Sequence, residues 1–186
     1  MGQKFAAFDA QGNITAFYDS VDSPVPDGVA NTVEITQDQW QTCINQQGKW
    51  HVVDGALAQV PPPTDAQLLA SAQAAQSVAL NAACSAAIMS GFTSGALGST
   101  YNYPSTLTDQ ANQNTVAQCA TGGLLWCATG GAWSFKPHTQ AQAQSVVSTF
   151  ATWLNKCQQQ LVSLTGQVNA ATTVSAAQAI AWSNPV

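Results

Sequence analysis

Along the first sixty residues the apolar positions fall in short alternating runs. KFAAF (4–8) and ITAFY (14–18) flank the polar turn DAQGN, where Gly12 and Asn13 tolerate positive φ, so the pattern predicts a two-stranded hairpin. After the Pro-rich loop DSPVPDG, TVEI (32–35) predicts another short strand. Thr36 with Gln39 forms a capping box that opens a helix through about Gln47, closed by Gly48. KWHVV and ALAQV, joined by Asp54-Gly55, predict a second hairpin with the dipeptide that type I′ geometry prefers.

Beyond PPP (61–63) the period lengthens from two to about 3.6. Thr64 and Gln67 make a second capping box, and the Ala-rich run from Asp65 to Ser90 lacks Gly and Pro. It predicts one helix of about 25 residues, about 38 Å long, ended by Gly91. GFTSGALGSTYNYPSTLTDQ (91–110) predicts a structured connector, pinned to the core by Leu97 with Tyr101 or Tyr103, with Pro104 delaying the next helix. That helix is expected from the Thr108-Asp109 pair to about Ala120. LLWCATGGAWSFKP predicts a hairpin turning at Gly130-Gly131, with Trp126 and Trp133 on its two arms. Thr139 and Gln142 open a further helix. On it Val147, Phe150, Leu154, Cys157, Leu161, Leu164 and Val168 recur at spacings of three and four, an a/d seam that wants a helical partner. The partner is either the Ala-rich helix of the same chain or another copy. Ser175 with Gln178 caps a last short helix ending near Trp182.

These elements predict an α+β chain. Residues 1–60 form a small hairpin-and-helix module, 61–66 a stiff Pro-rich linker, and 67–186 a mainly α-helical domain with one inserted β-hairpin.

Charge sharpens that division. Charged residues are 7% of the 186, against a usual figure of about 25%, and eight of the nine acids lie in residues 1–65. Four lysines and no arginine leave no basic stripe to neutralise phosphates, which excludes nucleic acid as a partner. The uncharged run 66–92 is interrupted by Gln67, Gln73, Gln76 and Asn81, so no membrane span is expected. So little charge on the C-terminal part gives weak protection against self-association, and a homo-oligomer or a covering partner is expected.

Candidate chemistry is sparse. Five cysteines without C-x-x-C, behind an N-terminus lacking the apolar core of a signal peptide, predict reduced, largely buried cytosolic thiols. His51 and His138 stand in no ligand spacing, so no metal is expected. Cys84, His138 and Asp109 contain the residue types of a nucleophilic triad, but Cys84 sits among alanines in mid-helix, where a buried inert thiol is commoner. Gly91, Gly95 and Gly98 lack the following lysine and the preceding strand that a nucleotide loop requires. The reading is therefore of a non-enzyme without cofactor. Trp126, Trp133, Val147, Phe150, Leu154 and Leu161 are its candidate partner-binding residues, the first two because paired aromatics anchor cores and interfaces.

Two segments carry a resemblance. FYDS, VPDG and VEITQDQWQ, followed by QGKWHVVDGAL and PPPT, resemble over residues 14–68 the N-terminal region of tail-fibre assembly proteins of tailed bacteriophages. Over 82–182 the chain resembles a domain of unassigned function found in phage and prophage tail-fibre-associated proteins. The matching residues are Gly91-Phe92-Thr93-Ser94, Leu97-Gly98-Ser99, Tyr103-Pro104, Asp109-Gln110 with Asn112, His138-Thr139 and Ala181-Trp182. Usual members carry more charge on the final helix than this chain does. The resemblance implies a chaperone for a phage, prophage or tailocin fibre protein, acting in the host cytoplasm and sometimes retained in the tail. A permanent fibre adaptor or tip protein is the alternative. It carries over no catalytic residue.

Overall fold

The computed structural model describes residues 2–185. The chain divides into two compact units, Met1–Pro63 and Thr64–Val186.

In the first unit, β1 (Lys4–Phe8), β2 (Ile14–Asp19) and β3 (Thr32–Ile35) form an antiparallel sheet of order β2-β1-β3. Its register puts Lys4 opposite Asp19, and the two side chains pair. Lys4 Nζ also lies 5.0 Å from the centre of the Trp40 ring. Asp19 additionally accepts the N–H groups of Val21 and Asp22. Lys4, followed by those two amides, holds its carboxyl down at about 2. The expected capping box of Thr36 and Gln39 opens α1 (Gln37–Asn45), and β4 (Trp50–Val53) pairs with β5 (Ala56–Gln59) around Asp54-Gly55, both residues at positive φ.

The second unit runs α2 (Asp65–Met89), β6 (Phe92–Ser94), β7 (Tyr101–Tyr103), α3 (Leu107–Gln118), β8 (Gly123–Thr129), β9 (Ala132–His138), α4 (Gln140–Ala170) and α5 (Val174–Gln178). Its strands form one antiparallel sheet of order β6-β7-β8-β9. This corrects the expected fold class. Residues 64–186 are not a mainly helical domain with one inserted hairpin, because 91–103 supplies two further strands and the hairpin becomes half of a four-stranded sheet. Helices and strands are mixed through both units.

Local chemistry explains those strands. At Gly91 the chain leaves α2 with φ 103°, and a Cβ there would stand 2.9 Å from the Tyr103 carbonyl oxygen. Only glycine allows β6 to begin that close to β7. The buried Ser105 hydroxyl accepts the Gly91 N–H at 2.9 Å and donates to the Ile88 carbonyl at 2.6 Å, fastening the end of β7 to the last turn of α2.

Behind the sheet, Phe92, Tyr103, Leu125, Cys127, Val146 and Phe150 form the main core. Burying side chains of the size of Leu125 or Phe150 contributes about 1.5–3 kcal/mol each. The heptad seam of α4 is covered by this same unit. Val147, Phe150 and Leu154 pack on the sheet core, while Leu161, Leu164 and Val168 pack in the cluster that holds Leu80 of α2. Glutamine performs the work that charge does elsewhere. Among the described residues no helix has a basic residue in its last turn, and Gln73 donates instead to the Val168 and Ala171 carbonyls at the end of α4.

Candidate functional site

The outer surface of the β8–β9 hairpin follows from period two and register. Leu125 and Cys127 of β8 point into the core, so Leu124 and Trp126 point away from it. Across the ladder Leu124 faces Pro137, Trp126 faces Phe135 and Ala128 faces Trp133, which puts six apolar side chains on one side. Four of them are substantially exposed: Leu124 at 59%, Trp126 at 41%, Trp133 at 45% and Phe135 at 62%. Ala128 breaks the series, buried where β8 also pairs with Asn102 of β7.

The rings order one another. Trp126 and Trp133, diagonal neighbours, stack at 6.2 Å with planes 17° apart, and Phe135 tilts against Trp126 at 4.8 Å. Such contacts add about 0.5–1.5 kcal/mol each and hold the rings as a fixed platform without removing them from water.

Beside this platform runs a groove of about 560 Å³. Leu124, Trp126 and Phe135 form one wall. The other is α3, whose Asp109, Asn112, Gln113 and Val116 recur at helical spacing, with Thr115 beside them. Asp109 is positioned by its capping box with Thr106, and Gln113 by the bond from its Nε2 to the Pro104 carbonyl at 2.8 Å. Gly122 fixes the connection from α3 to β8. It has φ 71°, and a Cβ would lie 2.0 Å from the His138 carbonyl oxygen, so a side chain there would push hairpin and helix apart.

Beneath the hairpin lies a buried polar pair. His138 Nδ1 donates to the Lys136 carbonyl at 2.9 Å, leaving Nε2 to accept the Tyr103 hydroxyl at 2.8 Å. Burial, with smaller contributions from Cys127 and Tyr101, pushes the Tyr103 phenol well above its ordinary range. Both side chains are sealed in the core, and their bonds to one another and to backbone are structural.

The residue types of a triad are not brought together. Cys84 Sγ faces the Cys157 carbonyl at 3.6 Å between α2 and α4, His138 is held by Tyr103, and Asp109 caps α3. Cys43, Cys84, Cys127 and Cys157 are buried free thiols, each pushed up by burial. Cys119 departs from the expected pattern: it is exposed, and a hydrogen bond with the Thr121 hydroxyl lowers it. Among the described residues no three His, Cys, Asp or Glu side chains gather as a metal site, and no helix is long and apolar enough to cross a membrane. The Gly91 amide donates to the Ser105 hydroxyl.

Of the six candidate partner residues, only Trp126 and Trp133 are presented to solvent. Phe150 is buried, and Val147, Leu154 and Leu161 are partly buried against this chain's own core. Sequence reasoning passed over Leu124, Phe135 and the α3 wall. Alternation in LLW and WSF would have put Leu124 and Phe135 with the tryptophans, whereas Asn112 and Thr115 carry no such signal. Comparison of the chain with family models, with curated proteins and with solved structures finds no match.

Proposed function

We propose that this protein is an assembly chaperone for the tail fibre of a phage, prophage or tailocin, acting in the host cytoplasm by covering apolar surface of the fibre chain until it trimerises. The observation that carries the reading is the exposed aromatic face of β8–β9. A contiguous, uncharged cluster of two tryptophans, a phenylalanine and a leucine is the composition of an interface centre, and aromatic residues are what such centres are enriched in. The resemblance of residues 14–68 and 82–182 to tail-fibre assembly and tail-fibre-associated proteins supplies the partner. The heptad seam takes no part, since its own unit covers it.

The test is co-expression with a tail-fibre gene, which this reading expects to be encoded next to the protein's own. Soluble, trimeric fibre should rise with the protein present, and the protein should leave the fibre during maturation. An unchanged yield and trimer fraction would remove the chaperone reading. Stoichiometric retention in purified particles without dissociation would replace it with a permanent adaptor or tip.

A further inference from the structure

We infer that the groove between α3 and the β8–β9 hairpin is a binding site for a neutral saccharide. Its two walls differ in kind: one presents the side chains of Leu124, Trp126 and Phe135, the other those of Asp109, Asn112 and Thr115. A pyranose ring has the same division, with apolar C–H faces and a polar rim of hydroxyls. At about 560 Å³ the groove has the size of a small-ligand site.

The polar atoms it offers are specific. Gln113 is 3% exposed, and its Nε2 is engaged by the Pro104 carbonyl. Its Oε1 has no hydrogen-bond partner among the described residues, yet no buried side-chain polar atom there is left unsatisfied, so Oε1 is not sealed from solvent, and Gln113 lines the groove. The Thr115 hydroxyl donates to the Ala111 carbonyl and presents its oxygen as an acceptor. Asp109 Oδ2 accepts from Thr106, and Oδ1 is unengaged among the described residues. The Asn112 amide, likewise unengaged, supplies donors.

Acceptors therefore predominate, and the ligand must be rich in donors. A sugar brings several hydroxyls per ring, whereas a peptide brings one backbone N–H per residue. No lysine lines the groove, and its one charged side chain is a carboxylate, so phosphates and acidic sugars are disfavoured. A ring stacked on Trp126 and Phe135 donates hydroxyls to Asp109, Gln113 and Thr115 and accepts from Asn112. The groove shares Leu124, Trp126 and Phe135 with the proposed fibre face, while Asn112 and Thr115 belong to the groove alone and Trp133 lies outside its lining.

The test is saturation-transfer NMR on the full chain with maltotriose, lactose and N,N′-diacetylchitobiose as probes, followed by titration of tryptophan fluorescence. Transfer to ring C–H protons of at least one probe is expected. Asn112→Ala should weaken its binding about tenfold. Trp126→Ala should abolish it, and Trp133→Asp, which removes only a ring stacked on Trp126, should weaken it less than Asn112→Ala does. Both groove positions have side chains reaching solvent, and circular dichroism checks each fold. If Trp126→Ala fails to fold, Asn112→Ala decides. No transfer to any probe overturns the proposal, as does binding that Asn112→Ala and Trp126→Ala leave intact. Binding of trilysine at Trp126 in place of the sugars overturns it in favour of a cationic peptide. Asn112→Ala separates this site from the chaperone reading, since Asn112 is no part of the exposed aromatic cluster: it should weaken sugar binding and leave fibre yield unchanged.

Discussion

The two faces of the β8–β9 hairpin are built from similar residues and meet opposite fates. Leu125 and Cys127 on the inner face are closed over by Tyr103, Val146 and Phe150, while Leu124, Trp126, Trp133 and Phe135 on the outer face stay in water. Hydrophobicity does not separate the faces; what separates them is which one α3 and α4 reach. An apolar side chain inside is held by its neighbours, so its loss is felt as stability. One outside, held by ring stacking alone, is open to solvent, and on the proposed function its loss should be felt in fibre assembly rather than in stability.

That contrast can be broken at several strengths. Leu125→Ala should cost about 2–5 kcal/mol in chemical denaturation, because it empties a site in a closed core. A cost below about 1 kcal/mol would show the inner face to be loosely packed. Tyr103→Phe removes only the hydroxyl and leaves His138 Nε2 without its donor; about 1–3 kcal/mol of destabilisation is expected, read as a lowered midpoint at unchanged m-value.

Acid offers a control in the first unit. Asp19 has its carboxyl held at about 2, below the unfolded value near 3.9, so its stabilisation is complete above about pH 5 and is lost progressively as pH falls through that value toward 2. Amide exchange of Val21 and Asp22 should accelerate over that window, and in Asp19→Asn it should not. On the outer face, Leu124→Ala and Trp133→Asp should each shift stability by no more than about 0.5 kcal/mol, apart from the lost ring contact. A large loss there would mean that the platform serves the fold rather than a partner.

Much of this chain was legible because its local signals are strong. The capping boxes at Thr36, Thr64 and Thr139, and the turns at Asp54-Gly55 and Gly130-Gly131, stand where the sequence predicts them. α3 begins earlier than expected, since Asp109 is the third helical residue and boxes with Thr106 rather than following Thr108 as a cap. The strands of 91–103 were illegible for a different reason. Each has three residues, too few for alternation to register, and their pairing to β8 joins Asn102 to a residue well down the chain.

The seam on α4 shows the same limit. Its stripe was plain, but what covers it was set by tertiary packing: the sheet core at one end, α2 at the other. The candidate site was half legible. Trp126 and Trp133 announced themselves by type and position, but both alternating sets in LLWC are apolar, so only the placement of the helices decides which faces solvent. The polar wall of the groove was invisible, because Asp109, Asn112 and Gln113 read as ordinary helix residues until β8 is set against them.

The most direct test of the central claim is fibre trimer yield with wild-type protein and with Trp133→Asp, a change on the outer face at a residue that belongs neither to the core nor to the groove lining, although its ring stacks on Trp126. With the variant folded and equally expressed, yield should fall to the level seen without the protein. Yield equal to wild type would contradict the assignment of the outer face of β8–β9 as the surface that holds the fibre.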